Sequence, residues 1–233
     1  MNRRHLKNEI FALLADSEPE EIYRSLLRYP SHLVLNLLFS ALCHCQEIVR
    51  WRSVYCFGFV VFAMAEENLE SARVVMRRFL WSLNDESGGI GWGAPESMAE
   101  IMCHHDKLRS EYLHMLISYM CEDGEDDFQD GNYIELPMLQ RGLLWGVGRL
   151  CKLHTGEMVG KNIVAHLLPY LDSPDKTVVG MAIWCLNQIG INFEIDLSPD
   201  MLRKIRKQKI ELKIFLDNTL QYINISQLVR SSV

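Results

Sequence analysis

The sequence predicts an all-α fold built from stacked antiparallel helix pairs. Three observations lead there. Apolar residues recur with a helical period along nearly the whole chain, no run of alternating β-branched residues is flanked by hairpin turns, and the second helices of successive pairs align with one another. The 233 residues, 48% of them hydrophobic, are enough to bury a substantial core.

Taken in order, the periodicity predicts helices over residues 3–15, 18–28, 31–45 and 48–66. The last of these contains the longest apolar run, VYCFGFVVFAMA at 54–65. It falls short of the roughly 18 to 20 residues of a membrane span and reads as a buried helix. A helix over 69–84 ends at Asn84. The next, over 94–104, carries Pro95 in its first turn and Glu96 at its positive end. Helices follow over 106–121, 135–152, 157–171 and 175–190, with CEDGEDDFQDGNYIE inserted between the first two. The final predicted helix, 199–216, sets Arg203, Lys204, Arg206, Lys207, Lys209 and Lys213 around Leu202, Ile205, Leu212 and Phe215. Such an amphipathic helix suits a cap on a stack, and its basic face leaves contact with nucleic acid or an acidic protein open.

The second helices define the repeat. Val54, Ala94, Leu143 and Ala182 fall in one column, Gly58, Met98, Val147 and Leu186 in the next, and Val61, Ile101, Leu150 and Ile189 in a third. The columns are spaced i, i+4, i+7, so each helix turns one apolar stripe toward its neighbours. Successive intervals are 40, 49 and 39 residues, the long one containing the acidic insertion. A period near 40 fits the roughly 40 to 47 residues of a HEAT or armadillo repeat better than the 34 of a tetratricopeptide repeat.

The stretch SPDKTVVGMAIWCLNQIG carries the clearest likeness to a family. Asp175, Val178, Ala182 and Leu186 resemble the second half of a HEAT repeat, whose helix opens with Asp and continues with Val-Arg, Ala and Leu-Gly. Val179 and Asn187 depart from that pattern, while Arg141 and Gly148 in QRGLLWGVGRL keep its arginine and glycine. The resemblance, to HEAT-like proteins including the PBS-lyase type, implies a right-handed α-α superhelix spanning 1–233 as one domain. It implies cap helices at 1–30, about four HEAT-like pairs over 31–190 with an acidic insertion at 122–133, and a capping helix and tail at 191–233. It further implies a concave face, lined by second helices, that binds proteins or peptides and occasionally nucleic acid. Catalysis is not implied, although a subset of the family attaches bilin chromophores to phycobiliproteins, which keeps a cofactor-handling, lyase-like or chaperone-like role as an alternative. GGIGWG, at 88–93, is similar to a stretch in bacterial HEAT-like proteins and implies no function by itself.

That stretch is nevertheless the most distinctive candidate site. It follows a predicted helix instead of a strand and lacks Gly-Lys-Ser/Thr, so it is neither a dinucleotide fingerprint nor a P-loop. Four glycines within six positions are costly in chain entropy unless their freedom is used. Residues 84–100 are therefore read as a recognition patch for a basic or polar partner, formed by Asn84, Asp85, Glu86, Gly89, Gly91, Trp92, Gly93, Glu96 and Glu100. The alternative is a rigid connector pinned by Trp92. Arg50, Arg52, Arg141, Trp145, Arg149 and Trp184 lie just outside the apolar columns and join the candidate surface, with inter-repeat packing the competing role for the two tryptophans.

Other chemistry is poorly supported. No GxSxG elbow, HExxH or kinase set occurs, so no catalytic residue is assigned and a non-enzymatic protein is expected. Cys43-His44-Cys45 and Cys103-His104-His105 sit on or beside helices, where consecutive side chains diverge by about 100°; no metal site or cofactor is assigned. In the acidic insertion, Asp126, Asp130 and Gly131 match EF-hand positions, but Phe128 and Pro137 occupy positions that need oxygen ligands. A net charge of −6 argues against a nucleic-acid protein with a uniformly basic surface. Seven scattered cysteines without CxxC spacing, and no secretory signal, fit a reducing cytoplasm. With no apolar run long enough for a bilayer no membrane is expected, and the extended surface of a helical stack implies a protein or peptide partner.

Overall fold

The computed structural model describes residues 3–84, 91–122, 132–207 and 209–230. By its contacts the chain divides into two compact units, one of residues 1–112 with 215–220, the other of 113–214 with 221–233.

The first unit begins with α1 (Arg3–Asp16) and α2 (Pro19–Leu26). Two helix pairs follow, α3 (Ser31–Ala41) with α4 (Glu47–Glu67) and α5 (Leu69–Leu83) with α6 (Ala94–His104), and then the start of α7 (Asp106–Ser118). Polar groups fix the ends. Asn68 opens α5 by accepting from the N–H groups of Glu70 and Ser71 at 3.0 and 3.2 Å, and Arg52 donates to the Leu14 and Ala15 carbonyls at the end of α1. α4 is the centre of the unit, packed against α1, α2, α3, α5 and α6. By length and composition its 21 residues could cross a membrane, yet 56% of its most apolar window is buried inside the protein. Phe39, Phe57 and Phe79 from α3, α4 and α5 meet with ring centroids 4.7–4.9 Å apart.

The second unit is built on α8 (Pro137–Leu153) and α11 (Lys176–Gln188), the most extensively packed pair of helices in the chain. The expected helix over 157–171 is divided into α9 (Thr155–Gly160), α10 (Ile163–Leu167) and a 3-10 turn at Leu168–Asp172, broken where Asn162 takes a φ of 55° and Pro169 enters. Every residue of the three aligned columns is buried, in both units. Gly148 shows why α8 and α11 can approach so closely: a Cβ there would lie 2.0 Å from Cζ3 of the fully buried Trp184.

One sequence expectation is corrected near the C-terminus. The predicted helix over 199–216 stops at Lys207 as α13 (Pro199–Lys207), after a short α12 (Phe193–Asp196). Glu211–Leu216 is instead β1, paired with β2 (Thr219–Asn224), and α14 (Ile225–Arg230) follows. Exposed Glu211 and Lys213 alternate with buried Leu212 and Ile214, the period of a half-buried strand. Asp217 and Asn218 turn the hairpin with φ of 49° and 60°, the left-handed pair a two-residue turn requires. Phe215 stacks on Trp51 at 5.6 Å in the first unit, while Ile210, Leu212 and Ile225 pack on Gly180 of α11 in the second.

Candidate interaction site

The candidate patch is described at Asn84 and from Gly91 onward; Asp85, Glu86 and Gly89 lie outside the described residues. Asn84 closes α5, its N–H directed to the Leu80 and Trp81 carbonyls at 3.1 and 3.2 Å. Gly91, Trp92 and Gly93 form the turn into α6, in which the Ala94 N–H donates to Gly91 and the Ser97 N–H to Gly93, each at 3.0 Å. Gly93 holds a φ of 69°, a left-handed conformation that favours glycine, and a Cβ there would also crowd the tip of the Leu42 side chain at 2.7 Å. Trp92 rides on this turn with 37% of its surface exposed.

Glu96, in the first turn of α6, is the electrostatically unusual member. Its Oε2 is covered by protein and has no hydrogen-bond partner among the described residues. Burial pushes its carboxyl up to about 7, partly offset by its own backbone N–H. The adjacent Ser97 hydroxyl is likewise buried without a partner. The turn thus carries an exposed indole four residues before a glutamate whose Oε2 is covered by protein.

The remaining candidates occupy other settings. Glu100 is wholly buried and its Oε1 lies 3.1 Å from Nε2 of His104, while Trp145 is wholly buried in α8. Neither therefore belongs to an exposed contact surface, because α6 and α8 are enclosed on nearly every side. Trp184 is also interior, packed across Gly148. Arg141 pairs with Asp175, Arg149 is buried with its guanidinium 5.9 Å from the Trp145 ring, and Arg50 and Arg52 donate to backbone carbonyls. Sequence reasoning passed over Trp81 on α5, which is 75% exposed.

The soft-ligand triplets serve local structure. His44 packs edge-on against Phe11, and Cys43 and Cys45 are exposed. Cys103 is buried, His104 meets Glu100, and His105 accepts from the Leu108 N–H at the start of α7. Among the described residues no three His, Cys, Asp or Glu side chains are grouped as metal ligands. Of the insertion's acids Glu122, Asp123, Glu125, Asp126, Asp127 and Asp130, all but Glu122 lie outside the described residues.

No protein-family model matches the sequence, and no curated protein does. Among solved structures the chain is similar to a designed armadillo repeat protein, with 12% identity over 99% of this chain and 93% of that one and a TM-score of 0.51. A computationally designed armadillo repeat protein for modular peptide recognition gives 12% identity over 96% and 95% of the two chains, with a TM-score of 0.46. The first likeness identifies the fold as an all-α, armadillo- or HEAT-like repeat solenoid.

Proposed function

We propose that this chain is a HEAT-like interaction module that works in the cytoplasm and engages a basic protein or peptide segment at the turn into α6. The observation that carries the reading is the exposed Trp92 on a turn fixed by Gly93, four residues before Glu96, whose buried Oε2 has no hydrogen-bond partner among the described residues. A rigid connector needs neither feature, because a helix pair can be joined by about 2 to 8 ordinary residues. α6 supplies the firm support such a site needs, since its Ala94, Met98 and Ile101 are entirely interior.

The test is selection of binders from a displayed random-peptide library, using purified protein with intact thermal unfolding, followed by titration of the enriched peptides. Lysine- or arginine-containing peptides should dominate, and both Trp92→Ala and Glu96→Gln should weaken them by about tenfold or more. If both variants bind as the parent does, or melt so early that Trp92 proves to be a structural pin, the reading fails. Preferential enrichment of nucleic acid in a parallel selection would favour the basic C-terminal segment instead.

A further inference from the structure

The outward side of α5 carries a second stripe, distinct from the one that packs the core. Ala72, Val75, Met76 and Phe79 are buried; Val74, Arg77, Arg78 and Trp81 are exposed at the same i, i+3, i+4, i+7 spacing. Val74 is 54% and Trp81 75% exposed, and with the two arginines and Ser82 they line a shallow open cleft of about 530 Å³. A tryptophan left this open is unusual for a side chain whose burial contributes so much.

The arginines of α5 are not equivalent. Arg73 forms a two-pronged pair with Glu111, its Nε donating to Oε2 at 2.8 Å, and Arg77 donates to Glu70 at 2.6 Å. Arg78 has no carboxylate partner among the described residues. It is nonetheless held in place: its guanidinium sits over the Phe39 ring, 3.6 Å from the centroid, and donates to Oδ1 of Asn36 at 3.3 Å. Asn36 is itself oriented by donating from Nδ2 to the His32 carbonyl at 3.0 Å. A guanidinium braced by an aromatic ring loses little rotamer freedom when it takes up an anion.

We propose that this face of α5 is a docking surface for an acidic, apolar peptide segment. A carboxylate of the segment accepts from Arg78, and a neighbouring aliphatic side chain covers Trp81 and Val74. Charge complementarity selects the occupant, because the fixed cation has no counter-charge among the described residues and the apolar groups beside it disfavour a purely ionic ligand. Trp81 lies seven positions after Val74, about 10 Å along the helix axis, which three or four extended residues span. The Arg77–Glu70 pair is exposed on both partners, so a second carboxylate of the segment can exchange with Glu70 at little cost.

Gly91 of the turn into α6 approaches Ser82 at the edge of this cleft, but neither Trp92 nor Glu96 lines it, so the two readings are tested by different side chains. The probe is the peptide acetyl-Glu-Leu-Glu-Leu-amide, titrated to millimolar concentration into the full chain with ¹⁵N-labelled indoles. Saturable shifts confined to the Trp81 indole are expected, with weak affinity on the order of 100 µM. Arg78→Gln, Trp81→Ala and replacement of both peptide glutamates by glutamine should each weaken binding by about tenfold, while Trp92→Ala should leave it unchanged. Arg78→Lys should bind more weakly than the parent, because lysine keeps the charge but not the stacked fork. All these side chains are exposed, so thermal unfolding should remain near that of the parent. Absence of a saturable shift, equal binding of a Lys-Leu-Lys-Leu peptide, unchanged affinity in Arg78→Gln, or saturation of the same shift by inorganic phosphate would each overturn the proposal.

Discussion

Arg141 of α8 is ion-paired with Asp175, the residue that caps α11, so one carboxylate both starts a helix and ties it to the preceding second helix. Oδ1 of Asp175 accepts from the N–H groups of Thr177 and Val178 at 2.8 and 3.1 Å, leaving Oδ2 for the guanidinium. Asp175→Ala removes both roles and should cost about 1–2 kcal/mol from the cap alone, whereas Asp175→Asn keeps a capping oxygen and should cost less. Urea unfolding of the two variants checks the order. Burial raises the Asp175 carboxyl, but Arg141 and the backbone N–H groups outweigh it and hold it below its ordinary 3.8. Its contribution is therefore complete above that value and is lost as pH falls through the lower, folded-state value. Asp175→Asn should flatten that acid limb of the stability curve.

Gly148 and Trp184 meet closely between α8 and α11. Because the Trp184 ring is rigid and fully buried, Gly148→Ala should destabilise by about 1–3 kcal/mol despite its better helix propensity. Trp184→Ala should cost about 3–5 kcal/mol by opening a cavity. Combining Gly148→Ala with Trp184→Leu should cost less than the sum of the single changes, since the smaller side chain vacates the space of the new methyl. Additive losses in equilibrium unfolding would show that the two positions do not compete for that space.

The same residues show how far the sequence could be read. The aligned columns became the interior because their period matches a helix seen by its neighbours, and Asp175, Arg141 and Gly148 carry local chemistry that a repeat motif exposes directly. Trp145 and Glu100 defeated the pattern for the opposite reason. A helix buried all round, as α8 and α6 are, has no polar face to mark which positions turn outward. Within LRKIRKQKIELKIFL, Leu202 and Ile205 keep a helical spacing while Ile210, Leu212, Ile214 and Leu216 alternate as in a strand, so one continuous helix could be drawn through a change of period. The decisive signal for the hairpin was the Asp217-Asn218 pair, which stands where a two-residue turn needs two positive φ angles. Trp81 and Arg78 were overlooked because the inner stripe of α5 already accounted for its periodicity.

That turn yields its own prediction. Asn218→Gly should be neutral or stabilising, since glycine adopts a φ of 60° freely and the Tyr23 hydroxyl contact it gives up is long, at 3.4 Å. Asn218→Val, β-branched at a left-handed position, should destabilise by about 1–2 kcal/mol. Thermal unfolding followed by circular dichroism separates these outcomes. Equal stability of the two variants would mean that the hairpin turn does not limit folding.

Glu96 makes stability and binding depend on pH in opposite ways. Its folded carboxyl titrates near 7 against an ordinary 4.5, so the folded chain holds this proton more tightly than the unfolded chain does. Stability should be complete below pH 4.5, fall as pH rises toward 7, and level off above it, a loss on the order of 3 kcal/mol. Glu96→Gln, neutral at every pH, should remove that slope and unfold at higher urea than the parent at pH 8. Binding of a basic peptide requires the ionised form, so it should strengthen as pH rises through 7 in the parent and stay flat in Glu96→Gln. A peptide that also restores the parent's stability at pH 8 would supply the missing partner for the buried carboxylate. Parallel pH profiles for parent and variant, in unfolding and in binding alike, would show that Glu96 controls neither.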